Sequence, residues 1–375
     1  MTRTFRHDFY PYYESPIAGA NAELTVAEIE DAGLREVLQT PGATLGSWAM
    51  LEGLLAATGD CTPFVFREPL GHAREVKVAL SGLFGRFVAR AYLQRYFNLS
   101  IFAHVTDSRV VLDGRLGVET VRRAPGDLPD WIACTSDLSG LTIAEAKGSH
   151  DLSGPEQALD RAWNQATRID IVGAGGCATV KRLAIATRWG VATGRPAEPW
   201  ISVHDPIDEG DAISAEEERA IYVGVLRHHI ANMLVPLGYT ELANSIRQLA
   251  NQSEVRGYEQ GVQQAHQSLE EALLDTSLRT GDYPLIDDWL GRIVTRSGPL
   301  PSEGVPRAVR RTLASLDLRP VFVGLERRLV HAAIDGDPTS IVRTLGEGST
   351  TPRKGRTDRA GSWIIPLDDG AHEDL

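Results

Sequence analysis

Hydrophobic positions recur with a helical period in three stretches of the first hundred residues. Val26, Ile29, Leu34, Val37 and Leu38 follow a Thr25/Glu28 capping box and predict a helix that ends before Pro41, and Leu45 to Ala57 predicts a second. Val78, Leu83, Phe87, Ala91 and Leu93 predict a longer helix from about Arg74 to Phe97. The pattern then shortens. Ile101 to Thr106, Val110 to Leu112, Trp131 to Thr135 and Leu141 to Ala146 are brief runs that favour strand. Pro155 stands where a first helical turn tolerates it, and Ala158, Leu159, Ala162, Trp163 and Ala166 form the apolar stripe of the helix that follows. Gly173, Gly175 and Gly176 are expected to stop that helix, and Lys181 to Trp189 returns to a strand pattern.

The order of elements is helix, two or three strands, helix, strand, so the fold class is α/β. Before it, residues 1–70 read as an N-terminal helical segment whose aromatic cluster, Phe9, Tyr10, Tyr12 and Tyr13, packs against a later domain. The core spans 71–198. After Pro196 an acidic loop through Asp205, Asp208 and Asp211 leads into a mainly helical C-terminal domain, 199–345, with helices from Ala215 to about Leu345. Residues 346–375 are rich in Gly, Ser, Thr, Pro, Arg and Asp with few apolar anchors, and a disordered tail is expected there.

Composition narrows the classes. The chain has 375 residues, enough for two or three domains, and no apolar run approaches the roughly 18 residues of a membrane helix. Met1 to Tyr13 lacks the apolar stretch of a secretory leader, so the reading is a cytoplasmic protein with no membrane partner. Cys61, Cys134 and Cys177 are too far apart to suggest a disulfide framework or a cysteine zinc site. A net charge of -12 argues against a protein that coats nucleic acid without specificity. The charge is uneven, however. Arg67 to Arg123 holds ten basic residues against five acids, a local +5 that suits an anionic ligand, while Asp205 to Arg219 holds seven acids against one base.

The informative chemistry lies in Pro129-Asp130-Trp131-Ile132-Ala133, followed, with fourteen residues between Asp130 and Glu145, by Glu145-Ala146-Lys147. Side chains two apart on a strand share a face, which places Glu145 and Lys147 together with the Ala146 carbonyl between them. Asp130 begins the neighbouring strand. If the strands form a hairpin, two carboxylates and an amine converge, offering hard oxygen ligands to Mg²⁺ beside a cation, a reasonable centre for phosphodiester hydrolysis.

With these residues the sequence resembles the PD-(D/E)XK nuclease superfamily, the restriction-endonuclease-like fold, whose core is helix, three strands, helix, strand. The resemblance covers about Arg74 to Trp189, roughly a third of the chain. It implies that Asp130 and Glu145 hold the metal, with the Ala146 carbonyl as a further ligand, and that Lys147 orients or deprotonates the attacking water. Members with RecB-like helices also carry a glutamine on the helix after the motif. Gln165 occupies that helix, with Gln157 and Arg161 at i, i+4 spacing along the same side, although the tyrosine that follows in the RecB-like pattern is Ile169. Resolvase-like members show G-x-x-G-E-x-x-A on the first helix. Gly82-Leu83-Phe84-Gly85-Arg86-Phe87-Val88-Ala89 matches except at Arg86, which leaves the third carboxylate of that pattern without a counterpart.

An acid-x-Lys triplet alone is weak, since about half of one arises by chance at this composition. Glu75-Val76-Lys77 is a second such triplet, but it lies at the start of a predicted helix, where residues two apart diverge. The first triplet has better context: a strand-like run, the chain's single Pro-Asp dipeptide one strand earlier, and a following amphipathic helix with glutamine. Lysine is also scarce, at four among 38 basic residues, and Lys147 stands where the chemistry wants a compact amine. Arg86 and Arg90, one turn apart, and Arg161 are candidate contacts to a phosphate backbone, the alternative being solvated arginines on a helix face. His150, His204 and the pair His228-His229 lack zinc-ligand spacing and read as surface or core histidines.

The resulting expectation is a Mg²⁺-dependent deoxyribonuclease, in a restriction, phage-defence or repair setting, with DNA as partner and a homo-oligomer or protein contact through the C-terminal helices. Two alternatives stand beside it: a catalytically degenerate nuclease fold that only binds nucleic acid or a protein, and a helical interaction scaffold with an unrelated α/β domain.

Overall fold

The computed structural model describes residues 2–11, 17–18, 21–40, 63–66, 74–149, 154–191, 198–275, 289–295, 298–299, 321–348, 356–357 and 361–366. Its first element is a strand, β1 (Thr2–Pro11), followed by β2 (Ile17–Ala18), β3 (Ala22–Thr25) and α1 (Val26–Gln39). The Thr25/Glu28 capping box forms as the sequence predicts. After β4 (Val65–Phe66) come α2 (Arg74–Tyr96), β5 (Leu99–His104), β6 (Val111–Asp113), β7 (Val118–Arg122), β8 (Trp131–Thr135), β9 (Thr142–Ser149) and α3 (Glu156–Ala166). Then follow β10 (Ile169–Gly173), β11 (Gly176–Cys177), β12 (Lys181–Arg188), β13 (Gly190–Val191) and β14 (Trp200–Asp205). The remainder comprises α4 (Ala215–Leu234), α5 (Thr240–Asn251), α6 (Val255–Asp275), β15 (Trp289–Thr295), β16 (Gly298–Pro299), β17 (Val321–Glu326), α7 (Arg327–Asp335), α8 (Pro338–Gly348), β18 (Arg356–Thr357) and β19 (Ser362–Pro366).

The fold is mixed α/β, built on a sheet in the order β2-β1-β14-β12-β9-β8-β5, with β3 also paired to β1. β5, β8 and β9 form an antiparallel meander, and β12 returns parallel to β9 after the α3 crossover. The β8–β9 turn passes through Leu138 at φ 57° and Gly140 at φ 62°, and sets Trp131 opposite Ala144. One further step in that register places Asp130 across from Glu145. α3 lies on the sheet face that bears Glu145 and Lys147, packing Ala158, Leu159 and Ala162 on Ala184 and Ala186, their partners on β12. α2 covers β9 from the other face at very close range. A Cβ added at Gly85 would lie 2.5 Å from the Gly148 nitrogen and 2.8 Å from the Lys147 carbonyl carbon, so this helix turn has no room for a side chain.

Several expectations change. The N-terminal segment is not only helical, because Thr2–Pro11 alternates well enough to join the sheet, parallel to β14. β14 itself lies beyond residue 198, so the sheet extends past the expected core. Gly173, Gly175 and Gly176 do not stop α3, which ends at Ala166; they form the β10–β11 hairpin, with Gly176 at φ 126°. The C-terminal part is not purely helical, since β15, β17 and β19 pair in a separate sheet, and β18 and β19 fall within the stretch expected to be disordered. One cluster of buried side chains runs from Phe5 to Leu345. Leu45 to Ala57, Tyr12, Tyr13, Cys61 and His150 lie outside the described residues. Among the described residues no helix is long and apolar enough to cross a membrane.

Candidate active site

Asp130, Glu145, Lys147 and Gln165 are joined by one chain of hydrogen bonds. The Lys147 ammonium donates to Glu145 Oε1 and, at 2.8 Å, to Gln165 Oε1. The Gln165 amide nitrogen in turn donates to the Leu128 carbonyl, tying α3 to the loop that precedes Asp130. Glu145 Oε2 accepts from the Asp130 backbone N–H at 2.8 Å, and Asp130 Oδ2 accepts from the Ala146 N–H at 3.0 Å. The expected trio therefore converges, with Gln165 as the amide that fixes the lysine. Ala146 turns its N–H towards Asp130, and its carbonyl, which lies on the same side of an extended strand, shares that edge. Gln157 and Arg161, though at helical spacing from Gln165, are exposed.

Glu145 has no exposed surface, and its carboxyl is pushed well above the ordinary carboxylate range by burial and by the Asp130 charge, which the Lys147 ammonium only partly offsets. A buried acid in this condition favours any added cation.

The fourth oxygen leads away from the motif. Asp130 Oδ1 lies 3.3 Å from Arg86 Nε, and Arg86 Nη2 lies 2.8 Å from Glu36 Oε1. Glu36, on α1, has no exposed surface. Its Oε2 meets Arg90 Nη1 and Trp131 Nε1, each at 3.1 Å, with His104 Nε2 at 3.4 Å. Burial alone would raise the Glu36 carboxyl, but Arg86, His104 and Arg90 outweigh it and hold the group far below the usual range. Burial likewise opposes the charge on Arg86, and Glu36, Asp130 and Glu145 together raise its pKa instead.

Two readings of the sequence are corrected here. Arg90 is fully buried against Glu36, so it is neither a phosphate contact nor a solvated arginine. Arg86 is turned inward to Glu36 and Asp130 for the same reason: the side of α2 carrying both residues faces a buried anion. Glu36 itself was not anticipated. Its position was nevertheless marked, for it falls seven residues after Ile29 and four after Ala32, on the apolar stripe of α1, where a carboxylate must find partners. Arg122 and Arg168 were missed as well. They donate to carbonyls of the 124–127 loop beside the site, Arg168 Nη1 reaching the Asp127 oxygen at 2.8 Å.

The other candidates are structural. His229 is buried, its Nδ1 accepting from the Phe102 N–H at 3.0 Å, and His228 Nε2 lies 3.1 Å from the Val111 carbonyl. His204 packs against Trp163, with ring centroids 4.4 Å apart and planes tilted by 41°. Cys134 is buried, which raises its thiol pKa strongly. Among the described residues no group of three or more His, Cys, Asp or Glu side chains forms a ready metal cage. Searches among protein-family models, characterised proteins and solved structures find nothing that matches this chain.

Proposed function

We propose that this chain is a metal-dependent nuclease of the PD-(D/E)XK class that hydrolyses DNA phosphodiester bonds. The observation that carries the reading is the hydrogen-bonded chain Asp130–Glu145–Lys147–Gln165, set on a helix, three-strand meander, helix and parallel strand in that order. The donor set suits Mg²⁺: two carboxylates, one of them buried with its proton affinity raised, and a carbonyl at the strand edge. Asp130 and Glu145, with the Ala146 carbonyl, would hold the ion, and substrate phosphate and water would complete a shell that protein groups alone do not fill. A bound Mg²⁺ supplies polarisation of the phosphate and a lower pKa for the attacking water. Lys147, aimed by Gln165, holds or accepts the water proton or offsets charge on the phosphorus centre.

A second reading, a binding protein without turnover, is favoured by the Arg86–Asp130 contact, which places a cation on one of the ligand oxygens. Incubation of plasmid, linear duplex, single-stranded DNA and RNA with and without Mg²⁺ separates the two. The nuclease reading expects Mg²⁺-dependent cleavage of DNA that Glu145→Gln abolishes. Binding with no cleavage in any metal overturns it in favour of the second.

A further inference from the structure

Three atoms of kinds that ligate metals stand around the Arg86 guanidinium. Around it stand an oxygen of Glu36 at 2.8 Å, Nδ1 of His104 at 3.1 Å and an oxygen of Asp130 at 3.3 Å. Because a guanidinium only donates, His104 Nδ1 presents a lone pair to it, as a metal-bound imidazole would. The opposite ring nitrogen of His104 lies 3.4 Å from the other oxygen of Glu36, within ion-pair range though without a formed hydrogen bond, on the side from which a carboxylate could orient a metal-ligating histidine. Glu36 Oε1 faces Arg86, while Oε2 is held by Arg90 and Trp131, so Glu36 keeps charged and neutral partners if Arg86 is lost. Asp130 reaches both cation positions, Oδ1 towards Arg86 and Oδ2 towards the Ala146 edge.

We propose that Arg86 is the resident second cation of the site, so that the chain binds a single divalent ion at Asp130 and Glu145, and that removing the guanidinium opens a second metal site formed by Glu36, His104 and Asp130. The inference rests on the reading of Asp130 and Glu145 as a metal site. The guanidinium spreads its charge over three nitrogens and spans the donors without closing them in, which is why they do not form a compact cage around it. An ion in its place would draw oxygens and nitrogen to about 2.0–2.2 Å.

The test counts bound Mn²⁺ by electron paramagnetic resonance at fixed ionic strength. Wild type and Arg86→Lys are expected to bind one ion per chain, and Arg86→Ala two, the second being lost again when His104→Ala is added. Two ions on wild type, one ion on folded Arg86→Ala, or a second ion that survives His104→Ala overturns the proposal while leaving the first site intact. No specific ion on wild type removes the underlying metal-site reading as well. If thermal unfolding shows that Arg86→Ala does not fold, Arg86→Gln is counted in its place with the same expectation.

Discussion

Lys147 divides its ammonium between Glu145 and Gln165, and that geometry sets what a replacement can do. A guanidinium would also pair with Glu145, but it is planar, larger and holds its protons too tightly to serve the water. Lys147→Arg is therefore expected to fold, with a melting temperature near that of wild type, and to lose about 10²-fold or more of the cleavage rate, the usual scale for a proton-transfer group. Turnover within a factor of three of wild type would remove Lys147 from the mechanism. At this scale the site was largely legible. A strand period of two brought Glu145 and Lys147 together, and the Pro-Asp dipeptide marked the start of the neighbouring strand. The place of Glu36 on the apolar stripe of α1 was a local signal, but its partners and the inward turn of Arg86 and Arg90 were not legible, because they depend on α1 packing against α2, a contact between segments about fifty residues apart.

Among the elements, α2 and β9 meet most closely at the point that matters for chemistry. Gly85 lies against the backbone of Lys147 and Gly148, so Gly85→Ala must push the helix off the strand that carries the lysine. The expected cost is about 1–3 kcal/mol of stability, measured by denaturant unfolding, together with weaker cleavage. Gly82→Ala, one turn earlier and meeting nothing within 4 Å, serves as the control and should be neutral or slightly stabilising. Equal effects of the two substitutions would contradict the close-approach account. The first-helix motif thus contains one glycine with a steric reason and one without.

Glu217 makes a comparable link at the start of α4. It closes a capping box with Ser214 and accepts from the Gly175 N–H at 2.9 Å, joining the β10–β11 hairpin to the helix. Hydrogen bonds from the Ser214 side chain, then from the Gly175 and Ser214 amides, hold its carboxyl down to about 2. For an acid with a lowered folded pKa, the stabilisation is present above the ordinary carboxylate range and disappears as pH falls through the folded value. Glu217→Ala should therefore lower the melting temperature at pH 7, with the gap to wild type closing between the ordinary carboxylate range and about pH 2. A gap independent of pH would mean that the side chain acts by packing alone. α1, α2, α3, the meander and the returning strand could be read from period and punctuation. β1 and the β15–β17–β19 sheet could not, since their pairing is with distant segments and their short apolar runs are ambiguous in isolation.

At the scale of the whole molecule, the described residues of the basic stretch from Arg67 to Arg123 offer less positive surface than the sequence implies. Arg86 and Arg90 are taken up by Glu36, Arg95 by Glu28, Arg109 by Glu119, Arg115 by Asp113 and Arg123 by Asp170. With a net charge of -12, the proposed binding to DNA would have to be local to the site and assisted by a bound cation. Two carboxylates beside a phosphate repel it in the absence of metal, by about 1 kcal/mol for each close pair in a solvated cleft.

That repulsion gives the central claim, that Asp130 and Glu145 together hold a divalent cation against a DNA phosphate, its most direct test. Equilibrium binding of a labelled duplex is measured at constant ionic strength, with and without Ca²⁺ as a non-catalytic substitute, for wild type, Asp130→Asn and Glu145→Gln. The account predicts that Ca²⁺ strengthens wild-type binding several-fold, that Asp130→Asn binds metal-free DNA several-fold more tightly than wild type while Glu145→Gln gains less because burial already favours its neutral form, and that neither variant gains from Ca²⁺. Identical affinities for all three proteins, unchanged by Ca²⁺, would contradict it.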